Sequence, residues 1–274
     1  MSFLDDSISF SEINTWTGCP LSHKLKYIDK IEKEIAYTNK YEWAAPFGEG
    51  AHVGVQSIIA NETYQQALDK FRYSFITRAT NEYQNPPSMN HNGELLLAGR
   101  RILKDTKNTF ITEFPNYELI ANEHMLNEPA FPDDPRWKKY NFKGYIDTII
   151  KTQDDDICLI DQKTCGWGWD AKKKNDKMKI YQLAYYKHYY AQETGIDLDK
   201  IRTFFMLLKR KPGKNNAIEI FEVSCTKKRI ENALSLEKKA LINMEKGFAP
   251  PLGKTKFREE PCFFCVFKHT KFCK

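Results

Sequence analysis

The chain has 274 residues, with 42 Lys and Arg against 36 Asp and Glu, for a formal charge of +6. At roughly 100–200 residues per domain, that length suits one large domain or two small ones. A content of 41% apolar and 14% aromatic residues excludes bulk disorder. No run approaches the ~18 apolar residues of a membrane span, so no membrane partner is expected. The first residues, MSFLDDSISFSEIN, lack the basic stretch and apolar run of a secretory signal. The expected location is the cytoplasm, of a prokaryotic cell or a virus-infected host cell. Disulfides are rare there, so seven Cys, three of them in the last thirteen residues, need another explanation. The mild positive excess permits a nucleic-acid partner without demanding one.

Hydrophobic periodicity divides the chain into a mainly helical part (9–113), an α/β core (114–249) and an irregular tail (250–274), all within one expected domain. Ile13, Trp16 and Tyr27 mark a first amphipathic helix, broken near Gly18-Cys19-Pro20. Further helices are predicted over 45–60, 63–78 and 94–114, with Pro86-Pro87 as a break. Stretches 117–126, 140–152 and 157–164 are rich in β-branched and aromatic residues and predict strands. A helix follows over 179–194. A hairpin is expected from 203–209 and 217–224 around Lys211-Pro212-Gly213-Lys214. Thr226 is placed to cap a last helix running to Gly247.

The chemistry concentrates in Gly144-Tyr145-Ile146-Asp147, the polar turn Gln153-Asp154-Asp155-Asp156, and Leu159-Ile160-Asp161-Gln162-Lys163-Thr164. In an antiparallel hairpin centred on Asp154, Asp147 falls opposite Asp161, with Cβ atoms ~5 Å apart. Lys163 shares the face of Asp161. Two such carboxylates inside apolar strands repel unless a counter-charge sits between them. A divalent cation with oxygen ligands meets that need, and a neighbouring Lys is suited to hold a water or offset charge on phosphate. The same residues also fit exposed strand ends with a surface Lys partner.

The order Asp147 … Asp161-Gln162-Lys163 resembles the D…(D/E)xK motif of the PD-(D/E)XK nuclease superfamily, and its flanks resemble the RecB-like branch. Gly48-Glu49-Gly50-Ala51-His52 is similar to that branch's G-x-x-x-H helix, and Gln182 with Tyr186 to its Q-x-x-x-Y helix. Glu123 stands where a strand Glu precedes the first Asp. The resemblance implies a restriction-endonuclease-like mixed sheet flanked by helices, with an N-terminal helical layer. It implies Mg²⁺ or Mn²⁺ on His52, Asp147, Asp161 and the carbonyl of Gln162, with Glu123 as a further ligand. Lys163, Gln182 and Tyr186 join Asp147 and Asp161 as catalytic residues.

The cysteines resemble those of iron–sulfur nucleases of the AddB type and of CRISPR-associated RecB-like exonucleases, with one Cys near the start and three near the end. Cys19, Cys262, Cys265 and Cys273 fit, although the last gap is longer than the family's five residues. Four thiolates suit a zinc ion as well as a cluster by ligand count; the resemblance implies [4Fe–4S]. Cys158, Cys165 and Cys225 are expected to be plain buried or loop residues.

Lys172, Lys173, Lys174 and Lys177 suit phosphate contact beside such a site, or a solvated face. Trp167 and Trp169 suit base stacking, or loop packing. Gly253-Lys254-Thr255 resembles the end of a phosphate-binding loop, but Phe248 replaces the required Gly, so ATP binding is rejected. The expectation is a metal-dependent deoxyribonuclease acting on DNA ends or single strands, with recombination or replication proteins as partners. A non-catalytic nucleic-acid-binding protein and a zinc-stapled interaction module are the alternatives.

Overall fold

The computed structural model describes residues 7–31, 43–82, 89–250, 262, 265–268 and 270–273. The expected Pro86-Pro87 break and Gly253-Lys254-Thr255 lie outside them. The chain divides into two compact units. One comprises Met1–Thr38, Leu126–Gly144 and Thr226–Lys274, the other Asn39–Met125 and Tyr145–Cys225. The fold is mixed α/β, with a central sheet flanked by helices.

In the first unit, β1 (Ser7–Ser9) pairs in parallel with Asn141–Lys143. Only three residues long, it carries no readable alternation. Ser9 then caps α1 (Phe10–Gly18) in a reciprocal box with Glu12. Pro20 opens α2 (Pro20–His23), which passes into a π-helical turn, Lys24–Ile28. The first amphipathic helix, expected to break near Gly18-Cys19-Pro20, is thus three short pieces. Proline lacks the N–H that would continue α1 and suits a helix's first position. Thr226 caps the last helix as expected, accepting from the N–H of Arg229 at 3.3 Å. The described residues of 250–274 beyond Pro250 make turns, without helix or strand.

The second unit contains α3 (Ala44–Ile59), α4 (Tyr64–Glu82) and α5 (Met89–Glu113). They bury one face of a sheet whose inward residues include Ile150, Cys158, Ile160, Phe204 and Met206. The helices approach closely through Gly54 and Gly99. A Cβ on Gly99 would lie 2.2 Å from the ring of Phe71. That ring is wholly buried and meets Phe47 and Phe75 with centroids 5.9 Å away in each case.

The strands of this sheet are β2 (Glu118–Pro129), β3 (Asn141–Lys151), β4 (Ile157–Cys165), β5 (Ile201–Lys209) and β6 (Ile218–Glu222). From β3 to β6 they lie in chain order, and β2 pairs with β3. The β3–β4 and β5–β6 pairs are antiparallel and β4–β5 is parallel. The β3–β4 turn is centred as expected, with Thr152 N–H bonded to Asp156 O at 2.9 Å and Asp155 at φ 62°. Its register pairs Thr148 with Ile160. One more step opposes Asp147 to Asp161, but the paired ladder ends at Thr148 and Ile160, where the strands part.

Two helices follow β4. Asp170 caps α6 (Ala171–Lys174), a single turn absent from the expected elements, through the N–H of Lys173 at 2.7 Å. Next, α7 (Lys177–Thr194) packs on β4 and β5. It stops at Gly195, whose φ of 72° suits glycine.

Phe71→Ala should remove the ring around which α3, α4 and α5 close. Urea unfolding should show a loss of about 3–5 kcal/mol.

Candidate active site

One face of α3 points two polar side chains a turn apart, His52 and Gln56, at the middle of β2 and β3. Gly48 lets this helix close on β4, because a Cβ there would stand 3.3 Å from Thr164 Oγ1. His52 Nδ1 is 3.7 Å from Asp147 Oδ1, and the backbone of Gln162 hydrogen-bonds the ring. Gln56 spends both amide hydrogens on the site. Its Nε2 donates to Glu123 Oε1 at 2.6 Å and to the Asp147 carbonyl at 3.1 Å.

Glu123 is delivered by an irregularity in β2. Exposure alternates along Glu118–Ile120, slips by one residue at Ala121-Asn122, and resumes from Glu123. Glu123 itself has φ 52°, the left-handed region that a side chain rarely adopts. Slip and backbone together are the signature of a β-bulge, which re-aims a side chain. Asn122 beside it is fixed by Thr148 Oγ1, which donates to its Oδ1 at 2.8 Å.

At the open end of the β3–β4 ladder, Asp147 Oδ2 accepts the N–H of Gln162 at 2.5 Å. Asp161 is 2% exposed. Its Oδ1 accepts from Gln182 Nε2 at 2.9 Å, and its Oδ2 lies 2.8 Å from Lys163 Nζ. Gln182 Nε2 also donates to Tyr186 Oη at 3.0 Å. The two α7 residues are therefore tied to Asp161.

The electrostatics follow from burial and crowding. Burial, then the charge of Asp161, raises the pKa of Asp147 well above the usual carboxylate value. Burial raises Asp161 too, against the pull of Lys163. Burial opposes the charge of Lys163, yet Asp161 and Asp147 together lift its pKa above that of an ordinary lysine. His52 is pushed down to about 4 by burial and by Lys163, so its ring is neutral at pH 7, with a lone pair to donate. Ligand atoms of His52, Glu123 and Asp147 all lie within 4.8 Å of one another. One imidazole nitrogen with carboxylate oxygens suits Mg²⁺, Mn²⁺ or a similar dication. Such an ion would relieve the repulsion that raises Asp147, so these residues fit a metal.

Elsewhere, Cys273 lies near enough to Cys262, Cys265 and Cys19 for their charges to raise its thiol pKa, after burial itself. Cys158, Cys165 and Cys225 are buried, as expected. Trp167 is 76% exposed, with Lys211 Nζ 5.9 Å from its ring. Trp169 is buried against Phe205 and Phe221 with Lys173 above its ring, which is the loop-packing alternative. Lys174 is held by Glu219 at 2.6 Å, whereas Lys172, Lys173 and Lys177 are exposed.

Sequence reasoning missed Gln56, Asn122 and Thr148. The available signal was a lone amide one turn after His52 within Val53-Gly-Val-Gln-Ser-Ile-Ile, and a hydroxyl inside the apolar run of β3.

A mixed sheet whose adjoining strands carry two acids and a lysine, beside a His–Glu–Asp group that fits a cation, has the layout of a nuclease-type active site. Residues 7–270 match the PD-(D/E)XK nuclease superfamily, and the chain belongs to it. No curated protein matches the chain. Among solved structures it is similar in fold to a candidate exonuclease from Eubacterium rectale, at TM-score 0.54 and 13% identity, covering 90% of this chain and 84% of that one. It also aligns with the protein SSO0001 at TM-score 0.39 and 12% identity, over 96% and 84% of the two chains.

The raised pKa of Asp147 has a consequence for stability. A folded carboxyl that holds its proton more tightly than the unfolded one loses stability as pH rises above the ordinary value of 3.8. Metal-free Asp147→Asn should therefore melt higher than the parent at pH 7. The gap should narrow toward pH 4, and Mn²⁺ should raise the melting temperature of the parent alone. Thermal melts in EDTA and in Mn²⁺ check both.

Proposed function

We propose that the protein is a metal-dependent deoxyribonuclease of the RecB-like branch, acting on DNA ends or single strands. The observation that carries this is the pair Asp147 and Asp161 at the opening of the β3–β4 hairpin, with Lys163 Nζ 2.8 Å from Asp161. Structural residues have no need of two crowded acids and a lysine on neighbouring strands, whereas phosphodiester hydrolysis needs each of them. His52, Glu123, Asp147, Asp161 and the carbonyl of Gln162 would hold one or two Mg²⁺ or Mn²⁺ ions. When bound, such a cation supplies Lewis-acid polarisation of the phosphate and a lower pKa for water.

The protein's own groups do the rest. Lys163 carries its proton through the physiological range, so it orients an attacking water and offsets negative charge growing on the phosphate oxygens. Gln182 keeps Asp161 Oδ1 in place and is itself oriented by Tyr186. Gln56 does the same for Glu123. Lys172, Lys173, Lys177 and the exposed Trp167 bind the substrate away from the bond that breaks. In this reading the chain acts as a single nuclease domain in the cytoplasm, beside recombination or replication proteins.

The reading extends to a [4Fe–4S] cluster on Cys19, Cys262, Cys265 and Cys273, supported by the electrostatic proximity of these thiols. Anaerobically purified protein should be brown, with about four irons per chain. Cys19→Ala should bleach it, and Cys225→Ala should not. A colourless protein with one zinc would keep the staple and reject the iron.

The nuclease reading is tested on end-labelled linear and circular DNA, single- and double-stranded. Cleavage should require Mg²⁺ or Mn²⁺ and stop in EDTA. Asp147→Ala, Asp161→Ala and Lys163→Ala should each lower the rate by at least about 10²–10³-fold, the scale of a lost electrostatic stabiliser. Calorimetric titration should show weakened Mn²⁺ binding for the Asp variants and near-normal binding for Lys163→Ala. Cleavage that survives EDTA, or a fully active Lys163→Ala protein, rejects the mechanism.

A further inference from the structure

We propose that Tyr145 stacks on a nucleobase unstacked beside the scissile phosphate, so that the site takes single-stranded or frayed nucleic acid. The inference rests on the nuclease reading and specifies its substrate.

Tyr145 is 54% exposed. Along β3, Ile146 and Thr148 are fully buried toward one side, which leaves Tyr145 and Asp147 on the other. Two residues along a strand span ~6.6–6.8 Å, about the reach from a phosphate to the base of a neighbouring nucleotide. The β3–β4 register carries a second consequence. The pair is antiparallel, so the start of β3 and the end of β4 lie at the same end of the hairpin. This is the end where the strands part beyond Thr148 and Ile160. Tyr145 precedes Asp147 there, and Trp167, 76% exposed, follows Lys163 there.

Two large aromatic side chains thus stand in water at the open end of the hairpin, just past the acids. Cations accompany them, with Lys163 33% exposed and Lys211 Nζ 5.9 Å from the Trp167 ring. Flat π faces alternating with positive charge are the recognition chemistry of a single nucleic-acid strand. In an intact duplex the bases are stacked on one another, and their faces are not available to a side chain beside the backbone. A base lying on Tyr145 must come from an unpaired strand or an end that opens.

The test is fluorescence anisotropy with a labelled single-stranded DNA oligonucleotide and its duplex, in Ca²⁺, with the full-length protein. Tyr145→Ala should weaken single-strand binding about 5- to 100-fold, the range of one base–aromatic stack. Duplex binding should change little, and Tyr145→Phe should restore the single-strand affinity. Mn²⁺ affinity and melting temperature should stay at parent values, which separates stacking from damage to Asp147. An oligonucleotide with one abasic position should lose a similar factor on the parent protein and almost none on Tyr145→Ala. Unchanged single-strand binding by Tyr145→Ala overturns the inference, as does an equal loss for both DNA forms. A parent protein that binds neither form overturns the nuclease reading with it.

Discussion

Like-charge repulsion among buried acids organises this site. Asp147 and Asp161 sit at adjoining positions on neighbouring strands, shielded from most water, with the exposed Glu123 a short distance from Asp147. Burial disfavours the ionised forms of Asp147 and Asp161, and the charge of Asp161 makes ionisation of Asp147 harder still. The neighbouring groups are arranged around that difficulty. Lys163 supplies the positive charge, the Gln162 N–H and the Gln56 and Gln182 amides supply hydrogen bonds, and the remaining imbalance suits a dication. Strand parting at Asp147 belongs to the same arrangement, since the Gln162 N–H turns to the Asp147 carboxylate instead of a backbone carbonyl of the facing strand.

Much of this was legible in the sequence where a local rule acts alone. The Asp154-centred turn set the register correctly, because a hairpin's pairing follows from its turn. Thr226 marked a helix start for reasons of hydrogen bonding. Gly48 to His52 and Gln182 to Tyr186 lay on helices as expected, and the structure brings His52 to Asp147 and ties Gln182 to Asp161. The sequence was silent where tertiary contact decides. A three-residue β1 has too little pattern to read. Pro20 was seen as a break, but not the π-helical turn that follows. Trp167 and Trp169 looked alike two residues apart, and only packing against Phe205 and Phe221 separates the buried ring from the exposed one.

Gln56 shows why sites are read incompletely from sequence. It matches no motif and sits among apolar helix residues, yet it spans α3, β2 and β3 through two hydrogen bonds. Its importance depends on where Glu123 lies, and that depends on a backbone irregularity no composition rule detects.

The irregularity at Glu123 also sets the phase of the whole of β2. Before it, even-numbered residues such as Glu118 and Ile120 face solvent; after it, odd-numbered ones such as Met125 do, while Leu126 is fully buried. Straightening the strand without removing a residue would turn Met125 inward and Leu126 outward, and withdraw the carboxylate at the same stroke. The acid and the burial of the strand's second half are therefore one inherited unit. Evolution is free to change the residue at 123, but it cannot straighten the strand without repacking everything downstream of it.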